Sequence, residues 1–567
     1  MNRAERVRDF TVLLVIFYGA VVFLNLLLGS YSWLPGHRWA RIFLPVPESL
    51  AAVLLIFAIS RIRKPGRAGP LLIALSAVMI VIFLFNLGQT FFRYVYRRDF
   101  DPYTHLSLVP EFFSMVFRSD LVKKPPFIAA AAAGAGAILV GVFYLGFSLL
   151  KRVFARFETG PAGFVFPVLL VVLVLFFPSP VLTGVFLRTL ASGPADFTDA
   201  VPAAGMESGG GEIIDAADPD PPEKQLPEYV FPGIEDADIY LFVIESYGHT
   251  IFTNSDHYRR LAGTYRNAER LLSGAGFGIY TTVYDSTTFG GTSWLADTSL
   301  VTGIEIDTQA KYKTVLEEGT RNLLHILDDE GYTTVFSSPS TKEMLDSHKR
   351  FYSFSRFVLS GDFGYQGPYF VFGDMPDQFQ INHIQKNILP EIKSPRFVQF
   401  MLVSSHVPWN YIPPFIEDWS RIDDGSLYYD RSRNTYYDNS WAVGSELFEG
   451  YAHSIRYVLE VLTDYCVTYR TGDELIILVG DHQPKFPISE EDAGFGVPLH
   501  IISRNRDFLK NFTRFGYVPG FIPPEGEGFY GLESFLGHFL YVAGGKARGS
   551  VLRGRPVRVP ISPSEAR

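Results

Sequence analysis

The chain contains 567 residues, of which 47% are hydrophobic and 15% aromatic, and its single cysteine is Cys466. One cysteine excludes a disulfide-stapled secreted scaffold and a cysteine-ligated zinc module. The formal net charge is -9, and it is distributed unevenly along the chain. Residues 1–189 contain 19 Lys+Arg and 8 Asp+Glu (+11), whereas the remaining residues contain 31 Lys+Arg and 51 Asp+Glu (-20). Because phosphate backbones require a basic footprint, this overall acidity argues against nucleic acid as a partner.

The basic first third of the chain is strongly apolar. A helix needs about 20 mostly apolar residues to cross the hydrocarbon core of a bilayer. Runs near that length occur at Phe10–Gly29, Phe43–Ser60, Leu71–Gly88, Phe127–Leu150 and Phe164–Leu187. We therefore predict an α-helical transmembrane domain of five spans over residues 1–189. For the second run, whose uninterrupted apolar part is only Leu50–Ile59, a buried or interfacial helix is the alternative.

The positive charge of this region predicts its orientation. Basic residues cluster in three connections. Arg3, Arg6 and Arg8 precede the first run, and Arg61, Arg63, Lys64 and Arg67 lie between the second and third. Lys151, Arg152 and Arg156 lie between the fourth and fifth. Since short cytoplasmic connections carry the excess of Lys and Arg, we expect a multi-pass protein of the cell membrane with a cytoplasmic amino terminus. Five crossings then place everything beyond about residue 190 outside the cytoplasm.

A change of composition follows the apolar region. Residues 191–230 are rich in Gly, Pro and Ala, and they contain nine Asp+Glu against one lysine, Lys224. Such a segment cannot bury a core, so we predict a flexible acidic linker over residues 190–235.

Residues 236–567 have the pattern of an extracytoplasmic α/β domain. Short apolar runs typical of buried strands are Ile239–Ile244, Thr333–Phe336, Phe397–Val403, Glu474–Val479 and Pro498–Ile502. Helical stretches such as Tyr258–Leu272 and Thr320–Asp329 lie between them. This alternation predicts a mainly parallel central sheet covered by helices, in which ligands bind beyond the carboxyl ends of the strands.

Acidic and imidazole side chains follow two of these strands directly. Glu245 ends the first strand and precedes a turn, and Asp481 and His482 follow the strand at 474–479. A carboxylate at the end of a buried strand requires a cation. A carboxylate beside an imidazole combines a hard oxygen with a borderline nitrogen, which suits Mn, Mg or Zn.

Two further segments carry reactive groups. The glycine-rich turn Phe289–Trp294 presents the hydroxyl of Thr292 before a helical stretch, where backbone amides and the positive end of the helix can approach an anion. His406 follows the strand at 397–403 in the string Ser-Ser-His-Val-Pro. These groups are expected at the same edge of the sheet as the acidic residues.

Each signal also has a structural interpretation. A lone histidine such as His406 is more often a hydrogen-bonded structural residue than a ligand. Asp481 and His482 fit a helix cap with an incidental neighbour, and Thr292 fits a helix N-cap. Four such signals, all beyond strand ends, favour a single functional site.

In this order, the segments resemble those of the sulfatase-like branch of the alkaline phosphatase superfamily, specifically the lipoteichoic acid synthase and phosphoglycerol transferase type. The resemblance rests on the spans, the tether and the motifs Glu-Ser, Gly-x-Thr-Ser, Ser-Ser-His-x-Pro and Gly-Asp-His. It implies a sulfatase-like fold and a divalent metal, for which manganese is expected and Mg or Zn are the alternatives. The implied metal ligands are Glu245, Thr292, Asp481 and His482. The resemblance also implies that Thr292 is the nucleophile and that His406 contacts the substrate.

Two departures limit what the resemblance implies. The synthases hold the glycerol phosphate head with a Trp and an Arg after the next strand, but Ser337–Tyr352 contains no Trp-x-Arg pattern. Sulfatases that mature to formylglycine carry a Cys/Ser-x-Pro-x-Arg signature, and the similar string at Ser337–Thr341 lacks the arginine. Glycerol phosphate therefore stays open as the transferred group, and formylglycine chemistry is not expected.

These features predict a membrane-anchored, metal-dependent transferase. It would move a phospho-linked, phosphoglycerol-like head group from a phospholipid donor to a cell-envelope acceptor through a phosphothreonine at Thr292. A site tethered near the membrane has phospholipid donors at high local concentration. A membrane-bound phosphodiesterase or sulfuric ester hydrolase is the first alternative, since it shares the first half-reaction. A non-catalytic envelope-binding protein is the second.

Overall fold

The computed structural model describes two parts of the chain. In the amino-terminal part it describes residues 12, 16, 18–24, 47–60, 65–96 and 125–155. In the carboxyl-terminal part it describes residues 231–544, with gaps at 232, 235–236, 371–374, 431–433, 438, 441–442, 445, 491–492 and 527–529. The chain divides into two compact units, Met1–Val201 and Pro202–Arg567. The predicted linker at 190–235 lies almost entirely outside the described residues, so the three-part division of the chain stays a prediction.

Three long helices are described in the amino-terminal unit: α1 (Pro47–Ser60), α2 (Pro65–Tyr96) and α3 (Pro125–Ala155). Apolar side chains pack between them, and the rings of Phe57 in α1 and Phe154 in α3 meet edge to face at 5.5 Å. Their mutual packing buries one stripe of each helix and leaves other apolar side chains, such as Leu145, exposed.

Two of these helices are long and apolar enough to cross a membrane, over Ala68–Gln89 in α2 and over Ala137–Ala155 in α3. Helix α1 has 14 residues, fewer than the about 20 that a crossing requires. The predicted span Phe10–Gly29 is described only in part, and Phe164–Leu187 lies outside the described residues. Five spans are therefore not confirmed, and the orientation stays a prediction.

The carboxyl-terminal unit is built on a nine-stranded sheet. The described strands are β1 (Ile239–Ile244), β2 (Gly278–Asp285), β3 (Thr333–Ser338), β4 (Arg356–Leu359), β5 (Arg396–Leu402), β6 (Tyr411–Ile412), β7 (Thr435–Tyr436), β8 (Asn439–Ser440), β9 (Val443–Gly444), β10 (Leu475–Gly480), β11 (Gly496–Ser503), β12 (Val518–Pro519) and β13 (Tyr530–Gly531). The large sheet has the order β12-β2-β11-β10-β1-β5-β3-β4, with β13 also paired to β2. Strands β6 with β7, and β8 with β9, form two small separate sheets.

The central part of the large sheet is parallel. Strand β1 pairs in parallel with β10 and β5, and β3 pairs in parallel with β5 and β4. Strand β11 runs antiparallel to both of its neighbours, β10 and β2. The predicted mainly parallel sheet is confirmed. The reversed direction of β11 is not visible in its apolar run, because apolar content indicates burial and not strand direction.

Helices cover both faces of this sheet. They are α4 (Thr250–Thr253), α5 (Ser255–Gly274), α6 (Ser293–Thr302), α7 (Gln309–Glu318), α8 (Leu323–Asp329), α9 (Asp346–Tyr352), α10 (Asp377–His383), α11 (Leu447–Tyr469), α12 (Arg506–Lys510) and α13 (Ser534–Ala543). All six residues of β1 are buried, and successive side chains point to opposite faces. Phe242 joins a core with residues of α5 and α11, whereas Leu241 joins a second core with residues of α6, α8 and α13.

The register of three central strands aligns their carboxyl ends. Ile244 of β1 lies opposite Gly480 of β10 and opposite Leu402 of β5. The next residues of β1 and β10 therefore leave the sheet side by side. The loop that follows β5 begins at the same edge, which is where open α/β sheets bind their ligands.

Gly480 is a position where the close approach of main chain excludes a side chain. A Cβ there would lie 1.9 Å from the carbonyl oxygen of Tyr247, so the backbone itself would have to move. We expect Gly480→Ala to lower the free energy of unfolding by about 1–3 kcal/mol, the usual cost of overpacking a core, in chemical denaturation. The control is Gly263→Ala in α5, where a Cβ would meet nothing within 4 Å and stability should be unchanged or higher. Equal stability of the two variants would contradict this interpretation.

Candidate functional site

Glu245, Asp481 and His482 meet at the carboxyl edge of the sheet. One ligand atom from each of these residues lies within 4.8 Å of the other two. Glu245 follows β1, and the other two follow β10, so the parallel pairing of these strands brings them together. Within the described ranges, no other group of three His, Cys, Asp or Glu side chains has this spacing.

His482 presents one ring nitrogen to both carboxylates. Its Nδ1 lies 2.8 Å from the carbonyl oxygen of Gln483, which can only accept, so Nδ1 carries the proton. Its Nε2 lies 3.4 Å from Glu245 Oε1 and 3.5 Å from Asp481 Oδ2. This Nε2 is buried, and no described atom forms a hydrogen bond with it. The arrangement fits a divalent cation, because metal-ligating histidines usually donate their other ring nitrogen to a carbonyl or carboxylate.

Negative charge is concentrated around Asp481. Burial and then the charge of Glu245 raise the pKa of Asp481 to about 7. Its Oδ1 accepts hydrogen bonds from the main-chain nitrogens of Ser246 at 2.8 Å and His482 at 2.6 Å, which fix the carboxylate in place. Asp297 on α6 is a third acid here, and burial, together with the charges of Asp481 and Glu245, raises its pKa well above the usual value. A divalent cation would offset this charge.

Two hydroxyl groups contact the carboxylate of Glu245. Ser246 Oγ donates to Oε1 at 2.9 Å, and Ser293 Oγ donates to Oε2 at 3.5 Å. Ser405 Oγ also donates to the main-chain carbonyl of Glu245 at 2.6 Å. Because Ser293 directly follows Thr292, its contact brings the predicted nucleophile next to a predicted metal ligand.

Thr292 lies in a strained turn before α6. Its φ of 63° and ψ of 40° are in the left-handed region, where a non-glycine residue costs about 1–3 kcal/mol. Gly290 and Gly291 before it also have positive φ, of 68° and 143°. The main-chain nitrogen of Gly290 donates to the carbonyl oxygen of Gln483 at 3.0 Å. This bond connects the turn to the segment that contains Asp481 and His482. It also occupies an amide that the glycine-rich sequence offers to an anion.

Thr292 occupies the N-cap position of α6 but does not cap the helix. Its side chain makes no capping hydrogen bond. Its Oγ1 donates to the carbonyl oxygen of Gly291 at 2.5 Å. An N-cap residue normally has extended backbone angles, so capping does not explain a strained threonine at this position. The turn favours the functional interpretation of Thr292.

His406 lies in the loop after β5. Its Nδ1 lies 2.6 Å from the carbonyl oxygen of Val407, so Nδ1 carries the proton of the neutral ring. Burial lowers the pKa of His406 to about 4, and the charges of Lys485 and His482 act in the same direction. The ring is therefore neutral near pH 7. His482 and Asp481 both act on the pKa of His406, so the ring lies within electrostatic range of them.

Asp377 is a supporting residue that the sequence does not reveal. Its Oδ1 accepts hydrogen bonds from the main-chain nitrogens of Val403 at 2.9 Å and Ser404 at 3.1 Å, and it thereby holds the start of the His406 loop. Burial raises the pKa of Asp377 to about 6. It begins α10 and follows no strand, so no pattern in the sequence associates it with the site.

The structure brings Glu245, Asp481 and His482 into direct proximity. It connects Thr292 to them through Ser293 and Gly290. The roles of these residues and of His406 as metal ligands, nucleophile and substrate contact stay predictions.

Removal of the Glu245 charge tests the metal assignment. We expect Glu245→Gln to weaken Mn²⁺ binding to the full-length protein by more than about 100-fold, since even the loss of an outer-shell partner costs about 10- to 100-fold. Isothermal titration calorimetry measures this affinity. Glu391→Gln is the matched control, because Glu391 is exposed and pairs with Arg356. Equal affinities of the two variants would rule out Glu245 as a ligand.

The affinity for Mn²⁺ should depend on pH through Asp481. The cation requires the ionised carboxylate, and the metal-free protein holds a proton there below the pKa of about 7. Affinity should be constant above about pH 8 and fall by up to about tenfold per pH unit below about pH 7. The raised pKa of Asp481 also affects the stability of the metal-free fold. The folded state binds the proton more tightly than the unfolded chain does, so the free energy of unfolding should rise as pH falls through about 7. A flat affinity in calorimetric titrations between about pH 8 and 5.5 would contradict this assignment.

Comparison with protein-family models gives a match within the carboxyl-terminal unit. A sulfatase family model matches residues 290–504, a segment that includes Thr292, His406, Asp481 and His482. This match confirms the predicted resemblance to the sulfatase-like branch and the prediction of an enzyme. No curated protein matches the chain.

Several solved structures resemble the chain at low identity. The lipoteichoic acid synthase LtaP from Listeria monocytogenes has 14% identity and a TM-score of 0.34, with 48% of this chain and 66% of that chain covered. The C-terminal periplasmic domain of EcEptC from Escherichia coli has 10% identity and a TM-score of 0.38, with coverages of 56% and 85%. The Streptococcus pyogenes phosphoglycerol transferase GacH, in complex with sn-glycerol-1-phosphate, has 12% identity and a TM-score of 0.33, with coverages of 58% and 91%.

The chain thus spans slightly under two thirds of LtaP, and similarities this distant do not assign it an activity. The family match is the stronger finding, because it covers the Thr292 turn and the segment after β10 together. The carboxyl-terminal unit is therefore sulfatase-like, with sequence similarity to that family over residues 290–504.

Proposed function

We propose that this protein is a membrane-anchored, metal-dependent transferase that moves a phospho-linked head group from a phospholipid donor to a cell-envelope acceptor. The observation that carries the proposal is the cluster of Glu245, Asp481 and His482 beside the strained Thr292 turn. The catalytic unit would lie outside the cytoplasm, and apolar helices such as α2 would anchor it in the cell membrane.

Glu245, Asp481 and His482 would hold a divalent cation, with Thr292 Oγ1 as the fourth protein ligand. Mn²⁺ is our first choice, with Mg²⁺ or Zn²⁺ as alternatives, because two carboxylates and one imidazole discriminate weakly among these ions. When bound, the cation would lower the pKa of the threonine hydroxyl and offset negative charge on the phosphoryl group. The orphaned Nε2 of His482 supports this assignment.

Thr292 would act as the nucleophile in the first step. Its Oγ1 must first give up the hydrogen bond to the Gly291 carbonyl. The hydroxyl then loses its proton as Oγ1 forms a bond to phosphorus and the bond from phosphorus to the lipid oxygen breaks. The lipid oxygen takes up one proton in exchange, and the lipid leaves as the alcohol. The product of this step is a phosphothreonine that carries the head group.

His406 would act in the second step. A ring that is neutral near pH 7 holds no spare proton for the departing lipid alcohol, since its pKa is about 4. We therefore assign it to the incoming acceptor, whose hydroxyl it would orient as a hydrogen-bond acceptor. The acceptor hydroxyl then loses its proton as its oxygen bonds to phosphorus, the bond from phosphorus to Thr292 Oγ1 breaks, and Oγ1 takes up one proton to restore the threonine hydroxyl.

A hydrolase of phosphate or sulfate esters is the second candidate. The sulfatase family match favours it, and it would share the first step and then transfer the group to water. Membrane anchoring favours the transferase, because phospholipid donors are locally concentrated and a soluble substrate requires no anchor.

The proposal predicts a covalent adduct on Thr292. Full-length protein loaded with Mn²⁺ and incubated with a phospholipid labelled in its head group should carry the label, as measured by intact mass and peptide mapping. The adduct should disappear in Thr292→Ala and persist in Ser293→Ala, which removes the neighbouring hydroxyl as a control. An adduct that survives in Thr292→Ala would refute the nucleophile. No adduct in a metal-loaded wild type would refute the phosphothreonine step.

The same reaction distinguishes the two candidates when an acceptor is added. The transferase predicts that the label appears on an added glycan or lipid acceptor. Release of only free head group, whatever acceptor is supplied, would favour the hydrolase and contradict the transferase.

A further inference from the structure

We propose that Lys485 binds an anionic oxygen of the substrate, a tetrahedral phosphate or sulfate ester, beside the metal centre. The inference rests on the proposed function, because it names a substrate-binding residue for that same site. Lys485 follows His482 by three positions and forms part of no motif that the sequence indicates.

The main chain around Lys485 is held from both sides. On one side, Gly290 N donates to Gln483 O at 3.0 Å. On the other side, Ile488 N donates to Lys485 O at 3.1 Å, and Ser489 Oγ donates to Pro484 O at 2.6 Å. The backbone of Lys485 is therefore fixed relative to both the nucleophile turn and the metal-ligand segment.

The side chain of Lys485 is half-buried, and its ammonium group lacks an ion-pair partner among the described residues. Burial lowers its pKa, and the negative charge of Glu245 opposes this shift. No carboxylate in the described ranges lies within 4.0 Å of its nitrogen, and no described atom forms a hydrogen bond with it. Because a buried charge without a partner costs free energy, such a group fits a position that an anion occupies during function.

The charge balance of the site supports this role. Glu245 and Asp481 contribute two carboxylates, and an ionised Thr292 hydroxyl would contribute a third negative charge against the two positive charges of the metal. His406 cannot supply the missing cation near pH 7, since its pKa is about 4. Lys485 acts electrostatically on both Glu245 and His406, so it lies within range of both. It is the group that can face an anionic substrate oxygen there.

Binding of inorganic phosphate to the Mn²⁺-loaded full-length protein tests the proposal without turnover. We expect Lys485→Met, which removes the charge and keeps the length of the side chain, to weaken phosphate binding by about 10- to 100-fold, as for a lost charged hydrogen bond. Lys485→Arg should retain most of the affinity. Lys313→Met is the matched control, because Lys313 is exposed and pairs with Glu317.

Two measurements keep the test decisive. Thermal unfolding and Mn²⁺ titration select variants that fold and load metal, and Lys485→Gln replaces Lys485→Met if the latter does not fold. Unchanged phosphate affinity in a folded, loaded variant would overturn the proposal, and so would a loaded wild type that binds no phosphate. Sulfate serves as a second probe, and the variant should also bind it more weakly than the wild type does. The anion that the wild type binds more tightly indicates whether the substrate is a phosphate or a sulfate ester.

Failure of the proposed function has a different signature. In that case phosphate binding still depends on Lys485, but no adduct forms on Thr292 with any labelled phospholipid. An adduct on Thr292 together with Lys485-independent phosphate binding would leave the proposed function intact and refute the role of Lys485.

Discussion

A half-buried carboxylate, a buried carboxylate and one unpartnered imidazole nitrogen lie within 4.8 Å of one another, and the rest of the site depends on this arrangement. The parallel register of β1 and β10 brings these groups together, because the last residues of the two strands lie opposite each other and the next residues leave the same edge of the sheet. Burial first, and then the like charge of Glu245, raise the pKa of Asp481, so both ionised carboxylates together are unfavourable without a cation. Positive charge is therefore needed at this edge of the sheet. A bound metal would supply it, and Lys485 would supply further positive charge on the side of the substrate.

The loops around this cluster are held in strained conformations. Of the four described non-glycine residues with positive φ, three lie in the loops of the site, namely Ser246, Thr292 and Trp409. Each is held by the surrounding structure: Ser246 N donates to Asp481, and Trp409 Nε1 donates to Ser405 O at 2.5 Å. Strained residues persist where the surroundings over-determine them, and they concentrate at active sites. The strain here is consistent with a nucleophile and ligands that are positioned before substrate arrives.

Much of this architecture follows from the sequence, because the central strands are buried on both faces. Strand β1 has a continuous apolar run with the predicted bounds, and the predicted helix Tyr258–Leu272 lies within α5. Strand β2 is not predicted, because Thr281 and Thr282 interrupt its apolar pattern. In the fold, the hydroxyl of Thr281 donates a hydrogen bond to the carbonyl oxygen of Gly520. The proximity of Glu245, Asp481 and His482 is predictable, since strand ends converge at one edge.

Other features depend on contacts between distant segments, which no local pattern encodes. The contact of Ser293 with Glu245 joins residues 48 positions apart, and the bonds of Asp377 to Val403 and Ser404 join the start of α10 to the loop after β5. The unpaired ammonium of Lys485 is likewise a property of packing and not of sequence. For the membrane region, composition predicts apolar helices, but the number of crossings depends on segments that the described residues include only in part.

The central claim is that Glu245, Asp481, His482 and Thr292 share one divalent cation. Anomalous X-ray scattering from crystals of the full-length protein soaked with Mn²⁺ tests it most directly. We predict a single strong peak at about 2.2 Å from an oxygen of each carboxylate and from His482 Nε2, with Thr292 Oγ1 turned from the Gly291 carbonyl toward the ion. A peak elsewhere, no peak, or a metal-bound site in which Thr292 still donates to Gly291 would contradict it.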